Sequence, residues 1–178
     1  MRRVAMTAAA LLAVCTLGLQ AQKTSDVPSK GPNPHVKAEW AIDGANISIT
    51  YGRPSIKGRA LNSFDWWGKE WRTGADEKTT IVTDKALRFG TLDVPAGTYS
   101  LNTRTGDGPW DLIVSKAVGG WGIPYPAGQD LGRAPMRMGT PPAPAELLTF
   151  SIEDTPAGGT LHIDWGTTRA SIDFTVGQ

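Results

Sequence analysis

The stretch LTFSIEDTPAGGTLHIDWGTTRASIDFTV, residues 148–176, decides the fold. Leu148, Phe150 and Ile152 alternate with Thr149, Ser151 and Glu153, and Leu161, Ile163 and Trp165 alternate with His162 and Asp164. Ala170, Ile172, Phe174 and Val176 alternate with Ser171, Asp173 and Thr175 in the same way. Successive side chains of a strand point to opposite faces, so each run has one apolar face and one polar face. The period recurs upstream. Val36, Ala38, Trp40 and Ile42 share a face opposite Lys37, Glu39 and Asp43, and Ile47, Ile49 and Tyr51 alternate with Ser48 and Thr50. Between these runs Asp43-Gly44 tolerates the positive φ that a tight hairpin turn demands. Further strands are expected over 79–83, 86–92, 98–104 and 110–115. Gly106-Asp107-Gly108 turns between the last two, and a glycine-rich loop follows over 118–128. No segment sustains a period of 3.6, and only 62–70 could hold a short helical turn. The expectation is an all-β chain: a single antiparallel β-sandwich or jelly-roll-like domain of about 8–10 strands over residues 35–178.

The N-terminal residues read differently. Arg2 and Arg3 precede an uncharged run rich in Ala and Leu from Val4 to Leu19, and Ala21 closes it. A basic start, a short apolar run and a small closing residue describe a secretory signal peptide over residues 1–21. A membrane anchor needs about 20 apolar residues, and the polar Thr24-Ser25-Asp26 offers no continuation, so no integral membrane segment is expected after cleavage. Leu12-Ala13-Val14-Cys15 supplies an alternative, lipid attachment at Cys15. Residues 22–34 contain three prolines and no periodicity, and read as a flexible tether. The protein is therefore expected to be exported, either periplasmic or secreted.

The full chain of 178 residues carries 18 Lys and Arg against 17 Asp and Glu, a net charge of +1. Cleavage removes Arg2 and Arg3 and no acid, which turns the net charge to −1. This balance argues against a nucleic-acid groove, which needs an excess of Lys and Arg. Cleavage also removes Cys15, the only cysteine, leaving no disulfide, no thiol nucleophile and no cysteine-based metal site.

Chemistry concentrates between Tyr51 and Glu77. Arg53, Lys57 and Arg59 place three cations within seven residues, on a loop where Pro54 favours extended backbone at Arg53. Trp66, Trp67, Trp71 and Arg72 follow, then Asp76 and Glu77. Guanidinium groups offer planar forks to a carboxylate or phosphate, and tryptophans offer flat apolar surfaces. The functional reading is a binding site for a small anion or sugar. Arg53, Lys57, Arg59 and Arg72 would be anion donors, Trp71 a stacking wall, and Asp76 and Glu77 acceptors. The structural reading is that Arg53, Arg59 and Arg72 pair internally with Asp76 and Glu77 and pin a long crossover over the sheet.

Three blocks in this region resemble a known family. Tyr-Gly-Arg-Pro-Ser-Ile-Lys-Gly-Arg at 51–59, Trp-Arg-Thr-Gly-Ala-Asp-Glu at 71–77 and Pro-Ala-Gly-Thr-Tyr-Ser-Leu at 95–101 are similar to blocks of the domain-of-unknown-function 2911 family. The resemblance covers roughly residues 35–176 and includes Trp110, Ile113, Trp121 and Gly122. Asp76 stands where that family more often has Asn. The resemblance implies a bacterial exported β-rich protein and brings no activity with it.

Other chemistries find little support. A glycosidase needs two carboxyl groups about 5–10 Å apart across a cleft. Adjacent Asp76 and Glu77, or Asp65, would have to supply them, and a hydrolase using Asp76 or Glu77 is the catalytic alternative. His35 and His162 have no zinc-binding spacing, and no His-Glu-x-x-His or Gly-x-Ser-x-Gly occurs. His162 reads as an exposed strand residue. Phosphate-loop and dinucleotide fingerprints are absent, so no cofactor and no metal is assigned. Trp40, Trp110 and Trp165 read as core, and Trp66, Trp67, Trp71 and Trp121 as loop residues that lid the sandwich ends. The preferred reading is a non-catalytic binding or interaction module for a small anionic or carbohydrate ligand, with a purely structural domain as a further alternative.

Overall fold

The structure, a computed structural model, describes residues 22–177. The expected signal peptide, and Cys15 within it, lie outside the described residues. In chain order the strands are β1 (Lys23–Asp26), β2 (His35–Ile42), β3 (Ala45–Gly52), β4 (Glu70–Trp71), β5 (Thr80–Thr83), β6 (Leu87–Phe89) and β7 (Leu92–Val94). They continue with β8 (Gly97–Arg104), β9 (Asp111–Ser115), β10 (Asp130–Pro135), β11 (Arg137–Gly139), β12 (Ala145–Thr155), β13 (Gly158–Gly166) and β14 (Thr168–Val176). An eight-stranded sheet has the order β1-β2-β3-β5-β8-β9-β10, with β4 also paired to β8. A six-stranded sheet has the order β12-β13-β14-β6-β7, with β11 also paired to β14. Both are antiparallel and they do not close into a barrel, so the all-β sandwich is as expected. A single 3₁₀ turn, Leu61–Ser63, is the helical element among the described residues.

Alternation worked where one face is buried. Ala38, Trp40, Ile42, Ile47, Ile49 and Tyr51 of the first sheet face Leu148, Phe150, Leu161, Ile163, Ile172 and Phe174 of the second in one continuous core. The hairpin between β2 and β3 turns at Asp43 and Gly44, with φ of 48° and 75°, the pair of positive values a type I′ turn requires. The strands are more numerous than alternation suggested. The run at 86–92 divides into β6 and β7 around Gly90, at φ 59°. Strands β1, β4, β10 and β11 carried no alternation to read, because β1 and β11 are exposed throughout, β4 has two residues and β10 is bulged between Asp130 and Gly132.

Two expectations are corrected. The flexible tether over 22–34 begins with an edge strand, since Lys23–Asp26 pairs with Val36–Glu39 of β2. Its backbone is held by the sheet while its side chains stay in water, so composition alone suggested flexibility. His162 is buried at 8 % exposure, not exposed. It lies on β13 between β12 and β14: Nδ1 meets the Ser171 hydroxyl at 2.8 Å and Nε2 meets Glu153 at 3.4 Å. Beside it Asp164 accepts two bonds from Arg169, at 2.7 and 2.6 Å, rather than pairing with the histidine.

One seam joins the two sheets. The Tyr51 hydroxyl accepts the Phe150 N–H at 3.1 Å, and the two rings meet edge to face at 4.7 Å. Burial pushes the Tyr51 hydroxyl pKa up, so it stays protonated. Two residues on, Arg53 donates from Nε to the Leu148 carbonyl at 3.0 Å and from Nη2 to the Thr149 hydroxyl at 2.9 Å. No helix among the described residues is long and apolar enough to cross a membrane.

Removing the Tyr51 hydroxyl leaves the Phe150 N–H buried without its partner. Tyr51→Phe is expected to lower unfolding free energy by about 1–3 kcal/mol in urea titrations, with an unchanged far-ultraviolet spectrum.

Candidate functional site

The candidate residues of the 51–77 region separate into three places. Arg53 is a structural tie to β12, as described above. Lys57 sits in an exposed turn at φ 50° with Gly58 at 66°, and its backbone N–H donates to Glu146 at 3.0 Å. Glu146 also accepts the Ser55 hydroxyl, and this bond leads the Lys57 N–H in holding its carboxyl below the usual range. Neither Arg53 nor Lys57 lines the cavity described below.

Asp76 and Glu77 face the N-terminal segment. Asp76 is buried and accepts from the Asn33 backbone at 3.0 Å and from its side-chain amide at 3.0 and 3.2 Å. Glu77 accepts the Ser29 hydroxyl at 2.8 Å and the Lys30 N–H at 2.7 Å, with His35 Nε2 at 3.1 Å. The remainder of the expected tether is therefore a strap fastened to the loop by two carboxylates. Gly31 is required there, since a Cβ would stand 2.0 Å from the Asp76 carboxyl carbon. The internal pairing expected between these acids and the arginines does not occur: among the described residues Arg53, Arg59 and Arg72 form no carboxylate bridge. A short polar strap satisfies the acids instead, and backbone carbonyls satisfy the guanidinium groups.

Arg59, Trp71 and Arg72 do come together, in a cavity of about 630 Å³ at one end of the sandwich. Its aromatic wall is a set of nearly parallel rings. Trp66 lies 5.0 Å from Phe64 and 4.2 Å from Trp71, at interplanar angles of 13° and 10°. Trp165, at the end of β13, stacks on Trp71 at 5.5 Å and on Phe64 at 5.1 Å. The ring faces are engaged with one another, so Trp71 is a buried layer of this stack rather than a free wall. Of the four expected lid residues, Trp66 and Trp67 pack against the core from the loop, whereas Trp71 is a buried residue of β4 and Trp121 is 44 % exposed.

Arg59 caps the stack, with its guanidinium carbon 4.4 Å from the Phe64 ring centre. It donates to the Ile56 carbonyl at 3.0 Å and the Ser55 carbonyl at 2.8 Å. Arg72 donates to the Trp121 carbonyl at 2.7 Å and more weakly to that of Gly74 at 3.4 Å. Partial burial lowers the Arg72 pKa, and Asp76 and Glu77 oppose that shift. On the far wall, Glu70 is bridged to Arg104 at 3.3 Å and Arg133 at 3.1 Å, and these bonds hold its carboxyl low, Arg133 first. The Tyr125 hydroxyl donates to Asp130, and burial followed by that carboxylate pushes its pKa up.

The chain from Arg72 to Asp76 is strained. Thr73 and Asp76 have φ of 49° and 63°, and a β-branched residue in that region is an outlier. Thr73 is fully buried, held by the Thr103 hydroxyl at 3.1 Å and by the Thr79 hydroxyl on its carbonyl at 2.9 Å. Sequence reasoning missed this residue, along with Phe64, Trp165 and Tyr125 as cavity residues. The aromatic density of Phe64-Asp65-Trp66-Trp67 was the available signal for the first. A second hollow of about 650 Å³ lies on the outer face of the first sheet, lined by Lys37, Glu39, Ser48, Val82 and Thr98. Of its charged lining residues, Lys37 pairs with Glu39 at 2.6 Å and Asp84 accepts from the Asn46 backbone and side-chain amide. Among the described residues no cluster of His, Cys, Asp and Glu is arranged to hold a metal ion.

Two of the three blocks that carried the resemblance, 51–59 and 71–77, contribute residues to this cavity, and the third, 95–101, leads into β8 and does not line it. The family model described as "Protein of unknown function (DUF2911)" matches residues 33–174. The chain belongs to that family. Searches of curated proteins and of solved structures return no match. In this DUF2911 domain the family match begins at Asn33, inside the strap, and therefore includes both partners of the Asn33–Asp76 contact.

The strap supplies a prediction with a definite sign. The Lys30 N–H, then the Ser29 hydroxyl, lower the Glu77 pKa. A depressed folded pKa contributes stability above the unfolded value and loses it as pH falls through the folded one. Acidification through the lowered Glu77 pKa is expected to reduce protection across 27–34, measured as amide exchange relative to the intrinsic rate at the same pH. Glu77→Gln is expected to show the reduced protection already at neutral pH and to lose the acid step.

Proposed function

We propose that this DUF2911 protein is an exported, non-catalytic module that binds a small anionic or carbohydrate ligand in the cavity at the aromatic end. The observation that carries this reading is a pair of cavity-lining guanidinium groups, Arg59 and Arg72, with no carboxylate bridge among the described residues. Arg72 is half-buried and Arg59 exposed at the cavity, and a partly buried arginine commonly meets an acid. These two are held in place by carbonyl oxygens, which fix their position without a carboxylate bridge, while Asp76 and Glu77 act on Arg72 and Glu146 on Arg59 only through space. A volume of about 630 Å³ is within the range of small-molecule sites. The loops that form it stand on a rigid sandwich, the usual placement for binding residues.

Asp76 and Glu77 do not support hydrolysis. Their oxygens are occupied by the strap, and neither lines the cavity. The proposed binding residues among the original candidates are therefore Arg59, Arg72 and the Trp71 layer, supported by Phe64 and Trp66.

Thermal-shift screening against glycans and small anions tests the reading. A ligand at a hundredfold excess over its Kd adds about 2.7 kcal/mol, a rise of roughly 5–10 °C in Tm for a chain of this size. The double variant Arg59→Gln/Arg72→Gln is expected to abolish the shift while keeping a cooperative melt. Absence of a shift with any compound would leave the purely structural alternative standing.

A further inference from the structure

Resting on that binding reading, we infer that the cavity accepts an apolar organic anion, an acidic group on a ring-sized hydrophobic body, and not a carbohydrate. The argument begins with what the lining lacks. None of the described residues around the cavity is Asn, Gln, Ser, Thr or His. A sugar presents hydroxyl groups around its whole rim, and each buried hydroxyl needs a donor or acceptor placed to meet it. Here the polar side-chain groups other than the cations are Asp65, Glu70, Tyr125 and the indole N–H donors of Trp66, Trp71 and Trp165. Glu70 is taken by Arg104 and Arg133, and Tyr125 by Asp130. Among the described lining residues Asp65, exposed at the rim, is the one uncommitted acid, and the buried Trp165 indole N–H is a single donor without a partner, too few groups to meet the hydroxyls of a sugar.

The aromatic rings also fail to serve a sugar in the usual way. Sugars lie flat against an open ring face. Phe64, Trp66, Trp71 and Trp165 engage one another's faces, and Arg59 occupies the Phe64 ring. Such a stack offers apolar surface and ring edges, and ring edges carry the positive end of the aromatic quadrupole. Arg59, Lys69 and Arg72 add three cations against the one uncommitted acid. An anion with an apolar body matches both halves of this lining.

The mouth supports the same chemistry. The loop after β9 brings Gly122, Ile123 and Tyr125 to the cavity. Ile123 is 68 % exposed and Trp121 44 %, so two large apolar side chains stand in water beside it. Arg72 grips this loop through the Trp121 carbonyl and lies 5.8 Å from the Trp121 ring centre. The group that meets the acid is thus also the group that holds the apolar lip. A hydrophobic ligand body would cover Ile123, which a hydroxylated ring would not.

Calorimetric titration of the protein with four compounds tests the inference: phenylacetate, its neutral counterpart phenylethanol, galacturonate and galactose. Phenylacetate is expected to bind, with phenylethanol weaker by about tenfold or more. Both sugars are expected to bind more weakly than phenylacetate. Arg72→Gln is expected to weaken phenylacetate by about tenfold and to leave phenylethanol unchanged, with Arg72→Lys recovering part of the loss. Phenylethanol equal to phenylacetate, or either sugar binding more tightly, overturns this inference and leaves the general binding reading intact. No heat from any of the four also overturns it, while the broader thermal screen decides the binding reading separately.

Discussion

Tyr51 and Arg53, two residues apart at the end of β3, reach across to the edge of β12 and fasten the two sheets together. An edge strand exposes alternate N–H and C=O groups, which invite pairing with another chain. Along this edge those groups are taken in turn: Leu148 N–H by the Pro54 carbonyl at 3.1 Å, Leu148 carbonyl by Arg53, and Phe150 N–H by Tyr51. The Phe150 carbonyl receives the Gln22 amide at 3.4 Å. The constraint reaches further than the edge. Once Gly52 to Ile56 is laid along β12, the following loop has to rise at this end of the sandwich. Its aromatic residues then meet Trp165, which β13 presents at the same end.

The charge at this end follows from how the arginines are held. A carboxylate neutralises a guanidinium group, whereas a carbonyl orients it and leaves the full charge in place. Arg53 uses carbonyl and hydroxyl oxygens to join sheets, and nothing about its charge is needed for that. Arg59 and Arg72 use the same kind of bond beside a cavity. The cation–π contact of Arg59 with Phe64 contributes about 0.5–1 kcal/mol. It brings the charge onto the aromatic stack without cancelling it. One local device, carbonyl anchoring, thus produces a tie in one place and a pair of unbridged cations beside a cavity in another.

Much of the sandwich was legible because burial on one face imprints period two. The strands from Val36 to Tyr51 and from Leu148 to Val176 are of that kind. Strands such as β1, exposed on every residue, leave no imprint, because backbone bonding alone holds them. The candidate site was legible as a region and not as an arrangement. Charge clustering at 53–77 located it, and a cavity formed there. Sequence proximity could not tell that Arg53 turns to β12, that Lys57 points into solvent, or that Asp76 and Glu77 turn to residues more than forty positions earlier. Trp165 was read as core, which it is at 3 % exposure, yet its position at a strand end also makes it a wall. Alternation assigns a face, and it carries no information about distance from the sheet's end.

Strap and cavity meet in the five residues from Arg72 to Asp76. Arg72 lines the cavity, Asp76 is bonded to Asn33, and between them Thr73 stands in the left-handed region. An L-residue there costs about 1–2 kcal/mol, more for a branched side chain than for glycine. The surroundings hold it there: the Thr103 and Thr79 hydroxyls bind it, and Gly74 lies so close to Thr79 that a Cβ would come within 2.6 Å. A segment fixed this tightly has little freedom to absorb displacement at either end. The strap's grip on Asp76 and the placement of the Arg72 guanidinium are therefore set by the same turn. Here the strap contributes to the geometry of the cavity, although none of its residues lines it.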